Sequence, residues 1–273
     1  MPVIELTDML SLASGAAVGL ILGLIGGGGS ILALPLMIYV VGVSDTHTAI
    51  GASALAVAVN AAISLAGHWR AGTVKWRCAG VFAAFGVVGA GTGSSLGKLT
   101  DGDLLLGLFG LLMIVVGAAM LRREPGQDDP DVALTVDTAR HLIPRLGLAG
   151  LAVGVLSGFF GIGGGFLIVP GLIAATAMPM INAIGSSLVS VTALGATTAG
   201  NYALDGLVDW RLAGLFIAGG FLGSFAGVAL ASRLSKSKQA LKLVFAVIVI
   251  GVGLFIAADG GLTLWGRFGP GAA

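Results

Sequence analysis

Two glycine runs dominate the chemistry open to this chain. Gly26-Gly27-Gly28-Gly29 is followed by Ser30 and Pro35, and Gly161-Ile162-Gly163-Gly164-Gly165 by Pro170. A glycine inside a helix costs about 1 kcal/mol relative to alanine. Proline lacks an N–H and fits best in a first helical turn. Each run therefore predicts a helix that unwinds and restarts. A restarted helix presents uncommitted N–H groups and the positive end of its dipole, which together receive a small anion. Ser30 is placed to cap the first restart and to offer its hydroxyl.

Neutral polar side chains follow each run: Ser53, Asn60, Ser186, Ser187, Ser190, Thr192 and Asn201. Each on its own reads first as a helix–helix hydrogen bond. Ser53 and Ser187 stand out because an internal repeat makes them equivalent. Other chemistries find no support. The segment Gly93-Ser94-Ser95-Leu96-Gly97-Lys98-Leu99 resembles a phosphate-binding loop, but Thr92 stands where the first glycine is required and Leu99 where Ser or Thr is required. Neither run follows the dinucleotide pattern. No Ser/His/Asp set or carboxylate pair falls in one span, so no catalytic residue is assigned and no enzyme is expected. Three histidines and the single Cys78 give no metal-ligand spacing. No metal and no cofactor is expected.

The elements that must carry these groups are membrane helices. Of the 273 residues, 56% are hydrophobic and 10% charged, with 47 glycines and a mean hydropathy of +1.03. A soluble domain carries roughly 25% charged residues, so this chain belongs in a lipid bilayer. A net charge of +1 offers no field for nucleic acid. A crossing helix needs about 20 apolar residues. Charge-free stretches at 46–69, 78–97, 104–121, 183–204, 212–232 and 243–258 each supply one, and 9–44 and 146–178 hold the glycine runs. Trp69 ends one of these stretches and Trp76, Trp210 and Trp265 fall just outside others, as an aromatic belt does. His47 and His68 lie at span ends and read as solvated groups able to titrate near neutral pH. The acidic first residues, without Lys or Arg, carry no signal-peptide pattern.

The chain is an internal duplication. Gly19-x3-Gly23-x2-Gly26-x-Gly28-Gly29-x5-Pro35 recurs from Gly154 to Pro170. One residue out of that register, Ala49-Ile50-Gly51-Ala52-Ser53 matches Ala183-Ile184-Gly185-Ser186-Ser187, and Gly72-x-Val74-x-Trp76-Arg77 matches Gly206-x-Val208-x-Trp210-Arg211. The stripes Gly89/Gly93/Gly97 and Gly219/Gly223/Gly227 read as close helix packing. Residues 1–121 form a first membrane repeat, 122–145 a charged linker and 146–273 a second repeat. If each glycine-broken segment dips in and returns, or crosses twice as a short hairpin, 11 of the 14 basic residues fall on one side: Arg70, Lys75, Arg77, the linker arginines, Arg233, Lys236, Lys238 and Lys242. The positive-inside rule favours that even count. Matching loops then carry opposite bias, which predicts inverted-topology repeats, a transporter signature.

The segments 23–35 and 158–170, the Ala-Ile-Gly-x-Ser pair and the Gly-x-Val-x-Trp-Arg pair resemble the TauE/SafE family of bacterial membrane proteins, over about residues 10–258. The resemblance implies export of sulfite or organosulfonates such as sulfoacetate. It places the family's glycine-proline motif on Gly26 to Gly29 with Pro35, and on Gly161, Gly163, Gly164 and Gly165 with Pro170. Gly27 against Ile162 is the departure between the two copies.

Together these readings predict an all-α integral membrane protein of two inverted-topology repeats, each a glycine-broken re-entrant or short-hairpin segment followed by three transmembrane helices. It would be a secondary transporter in the bacterial inner membrane, with the linker cytoplasmic and both termini outside. Its partners would be the lipid bilayer and a small sulfite- or sulfonate-class anion, with no nucleic acid and a homo-oligomer left open. The expected binding set is Gly26, Gly27, Gly28, Gly29, Ser30, Ser53, Gly161, Gly163, Gly164, Gly165 and Ser187, with Asn60, Ser186 and Asn201 as further contacts. Alternatives are a passive anion channel and a membrane-embedded assembly or enzyme partner.

Overall fold

The computed structural model describes residues 6–122, 132, 134–163, 165–233, 247 and 249–258, and every element among them is helical. Helix α1 (Leu6–Ile25) leads into a 3-10 helix (Gly26–Leu32), one α turn, α2 (Ala33–Pro35), and a π-helix (Leu36–Val40). Then come α3 (Thr46–Arg70), α4 (Trp76–Lys98) and α5 (Gly102–Arg122). The second half repeats the order with α6 (Val136–Phe160), α7 (Gly165–Thr176), α8 (Met180–Leu204), α9 (Trp210–Arg233) and a short apolar helix α10 (Val249–Ala258). Six of these helices are long and apolar enough to cross a membrane. The charge-free stretches locate α3, α4, α5, α8 and α9 to within a few residues. The linker is shorter than its composition predicts. Thr135 and Thr138 form a capping box, so α6 starts at Val136 and takes in residues that read as linker.

The repeated glycines set the packing. A Cβ on Gly19 would lie 2.1 Å from the Gly220 carbonyl oxygen, and one on Gly154 2.2 Å from that of Gly86. These are equivalent contacts: α1 lies against α9 as α6 lies against α4. Leu12, Ala16 and Leu20 meet Gly219, Gly223 and Gly227 in the same order, so α1 and α9 run parallel. Phe82, Gly86 and Ala90 meet Gly150, Gly154 and Gly158 likewise, so α4 and α6 run parallel too. Small residues let these backbones touch where lipid supplies no hydrophobic drive.

The centre is a crossed pair. Gly51, near the start of α3, abuts the Leu207 carbonyl beyond the end of α8, and Gly185, near the start of α8, abuts Thr73 beyond the end of α3. Helices α3 and α8 therefore run antiparallel. Leu207 sits at the level of Gly51 and Gly220 at the level of Asn60, so α9 runs with α3, and so does α1. Between α1 and α3 the chain must consequently return, which is the work of residues 26–45. The motif arginines tie each outer seam: Arg77 Nη1 donates to the Leu134 carbonyl at 3.1 Å, and Arg211 Nη2 to Asp8 Oδ2 at 2.6 Å.

Candidate functional site

The two glycine runs resolve differently. In the second, Gly161 ends α6 in the left-handed region (φ +67°), the Ile162 amide closes back on the Ser157 carbonyl at 3.2 Å, and Gly163 is again left-handed (φ +63°). Helix α7 then restarts at Gly165. By helix geometry its first amides have no acceptor within the helix. Pro170 falls inside α7, past its first turn. Gly164 lies outside the described residues.

In the first run the chain does not unwind. Gly26 to Leu32 tighten into a 3-10 helix, whose amides bond three residues back. Pro35, lacking an N–H, ends the single α turn, and a π-helix follows, closed by Val41 N–H to Leu36 O at 2.9 Å. Gly28, Gly29 and Ser30 are buried. A Cβ on Gly29 would lie 2.5 Å from the Leu22 nitrogen, so the tight turn folds back onto α1. Only the second half thus presents a true helix restart. The two return segments still meet, because the 3-10 helix packs against α7 and α8.

The walls come from the crossed pair. Gly161 faces Ile50 of α3, and Gly163 faces Val57 of α3 and Gly195 of α8. Ser53 and Ser187 are both buried and make the same bond, hydroxyl to the carbonyl three residues back: Ile50 O at 3.1 Å and Ile184 O at 2.7 Å. Their oxygens can accept, and donation to a ligand requires breaking these bonds. The Ser186 hydroxyl is committed elsewhere, accepting from the amide of Lys75, the residue that precedes α4, at 2.9 Å and so tying α8 to the start of α4. Asn201 sits away from the glycine runs. Its Nδ2 donates to Ser94 Oγ at 2.6 Å and Ser95 Oγ at 3.0 Å, while Lys98 Nζ donates to its Oδ1 at 3.0 Å and pairs with Asp205. That clasp locks α4 to α8.

Asn60 differs. It is fully buried near the middle of α3, beside the bare Gly220 backbone, and neither its Nδ2 nor its Oδ1 has a hydrogen-bond partner. Ser64 on α3, and Ser190 and Thr198 on α8, are likewise buried without partners. Ser64 and Thr198 are repeat equivalents, and Asn60 corresponds to Leu194. Sequence reasoning passes over Ser64 and Thr198. Their signal is that equivalent hydroxyls follow Ser53 and Ser187 at helical spacing along one face. Buried donors and acceptors without partners cost about 1–3 kcal/mol each, so their retention calls for a functional account. Among the described residues, Asp8 is the one Asp, Glu, His, Lys or Arg classed as buried, and no group of three or more His, Cys, Asp or Glu could hold a metal ion.

The comparisons agree with this architecture. Residues 11–256 match the family described as Sulfite exporter TauE/SafE. The chain is 51% identical over 248 residues to a probable membrane transporter protein of Xylella fastidiosa strain Temecula1, covering 91% of this chain and 94% of that one. It is 27% identical over 225 residues to the probable membrane transporter protein YdhB of Bacillus subtilis, covering 80% and 88%. A probable membrane transporter protein of Haemophilus influenzae matches at 23% over 270 residues, covering 91% and 98%. No solved structure matches. The helical spans, the paired glycine motifs and these matches converge: the chain belongs to the TauE/SafE family of multi-pass membrane transporters.

Proposed function

We propose that this protein is a secondary transporter, working as an exporter, for a small oxyanion of the sulfite or organosulfonate class. The anion binds near the membrane midplane, between the glycine-broken segments and the crossed helices α3 and α8. One observation carries the reading. On the crossed helices that meet those segments, Asn60, Ser64, Ser190 and Thr198 hold buried polar groups without partners, and the first-turn amides of α7 have no acceptor within their own helix. Neutral donors converging with a helix N-terminus suit a small anion that must be released again. In this reading Gly26, Gly27, Gly28, Gly29 and Ser30 form one wall, Gly161, Gly163 and Gly165 the other, and Ser53 and Ser187 the floor.

The halves act as inverted-topology repeats that rock about this site. The antiparallel course of the equivalent helices α3 and α8, with the exchanged seams α1/α9 and α4/α6, supports that reading. A parallel duplication would point equivalent helices the same way. The protein lies in the inner membrane with the linker cytoplasmic and both termini outside, as the basic-residue bias indicates.

Flux into proteoliposomes of sulfite, thiosulfate, sulfoacetate and acetate tests the proposal, with wild type compared to Asn60→Leu. That substitution copies Leu194, which already faces a glycine in the other repeat. Saturable, counterflow-competent oxyanion flux that falls at least tenfold in Asn60→Leu is expected. Flux without saturation or counterflow would favour a channel, and equal flux in both proteins would remove Asn60 from the site.

A further inference from the structure

The site just described handles an anion with neutral groups only, and the nearest fixed cation is already spent. Lys98 Nζ lies 5.9 Å from the Tyr202 ring centroid but is bonded to Asp205 and to the Asn201 side chain and carbonyl. Beside it, the Tyr202 hydroxyl is buried without a partner. The His47 ring lies 6.2 Å from that of Tyr202, and its Nδ1 is also shielded from water without a partner. His47 is thus half-buried with one ring nitrogen covered, where the sequence suggests a solvated ring. His47 stands one turn from Ile50, whose side chain fills the space in front of Gly161. It therefore lies about 4.5 Å along α3 from the second glycine break. At the other end of the crossed pair, His68, the repeat equivalent of Tyr202, is held by Thr73 Oγ1 at 3.0 Å, and Ile181 stands where His47 would be.

We infer that His47, backed by Tyr202, is a proton-binding site coupled to the anion site, so that one proton crosses with each anion. This rests on the oxyanion reading above. A proton from cytoplasmic water, entering with the anion, adds to the Nδ1 lone pair and gives an imidazolium, the countercharge that the neutral site lacks. When the site opens to the opposite side, the same Nδ1–H bond breaks and the proton returns to water with the anion's departure. The ionisable groups around His47 are Asp45, which caps α3; Tyr202 of α8; Lys98 of α4; Asp205 after α8; and Asp101 and Asp103 on the turn that packs against Thr46 through Gly102.

Reconstituted wild-type protein, with sulfoacetate as probe and a pH dye in the lumen, tests this directly. Sulfoacetate stays ionised across the range assayed and carries no proton of its own. Expected is saturable proton movement that depends on sulfoacetate and falls at least tenfold in His47→Gln. In detergent, adding saturating sulfoacetate to weakly buffered wild-type protein should take up close to one proton per chain near neutral pH. This second measurement decides the matter even if His47→Gln fails to fold. Sulfoacetate flux without proton movement or uptake would overturn the inference and leave the oxyanion reading standing. No binding or flux of sulfoacetate, sulfite or thiosulfate would overturn both.

Discussion

The contact between Gly161 and Ile50 ties the second glycine break to the crossed pair, and a double-mutant cycle measures it. A Cβ at Gly161 would fall 1.9 Å from Ile50 Cγ2, and the backbone there has φ +67°. Gly161→Ala therefore meets two penalties: about 1–2 kcal/mol for a left-handed L-residue, and about 1–3 kcal/mol for overpacking a filled site. Ile50 is fully buried, so Ile50→Ala alone should cost about 2–5 kcal/mol. Ile50→Ala removes the methyl at 1.9 Å and leaves the Ile50 Cβ 2.9 Å from the new one, a residual overlap that a small shift relieves. The double mutant should then recover most of the overpacking share of about 1–3 kcal/mol and keep the backbone share. The readout is the apparent Tm in detergent, at roughly 2–4 °C per kcal/mol for a chain of this size. Penalties that add to within about 0.5 kcal/mol would show that Gly161 and Ile50 do not meet, and would refute the placement of the break.

Other outcomes follow from the same geometry. Gly154→Ala, whose Cβ would strike the Gly86 carbonyl oxygen at 2.2 Å, should lower the apparent Tm clearly, whereas Gly107→Ala, with open space around it, should be neutral or raise it by the gain in helix propensity, about 1 kcal/mol. Lys98→Met strips the clasp of its cation while Asp205 stays solvated, so it should destabilise by about 1–3 kcal/mol, and adding Asp205→Asn should cost little more; additive losses in the thermal assay would contradict the clasp. Asp45 is pushed up by burial, but the Thr48 hydroxyl and amide and the neighbouring His47 outweigh this and hold its carboxyl below the ordinary carboxylate range. A depressed folded value means its stabilisation is present above the unfolded value near 3.8 and is lost as pH falls through the folded one. Asp45→Ala should therefore lower the apparent Tm at pH 7, with the difference from wild type shrinking in acid.

The sequence made the spans and the repeat legible because both rest on local pattern. Charge-free length located α3, α4, α5, α8 and α9, the fixed spacing of Gly19/Gly154 and Gly51/Gly185 announced contacts that the structure makes at equivalent places, and Gly72/Gly206 announced matching left-handed turns. The first glycine run misled because propensity penalises glycine in an α-helix but is silent on a 3-10 turn held down by packing onto Leu22. The linker misled because charge marks solvent exposure, which an exposed helical extension such as the start of α6 also satisfies. Ser186 and Asn201 read first as helix–helix hydrogen bonds and only then as further contacts, but their partners, the Lys75 amide and the Lys98 clasp, lie more than a hundred residues away and could not be named from sequence. Ser64, Thr198 and the burial of the His47 Nδ1 required the antiparallel crossing of α3 and α8, which no local pattern encodes.

The central claim is that a small oxyanion sits between the two glycine-broken segments. A density map of the full chain in lipid with saturating sulfoacetate tests it most directly. The sulfonate group is expected against the first turn of α7, between the Gly26–Leu32 turn and the crossing of α3 with α8. Sulfoacetate bound instead outside the bundle, for example in the surface cavity of about 380 Å³ beside His141 and Arg145 on α6, would contradict it.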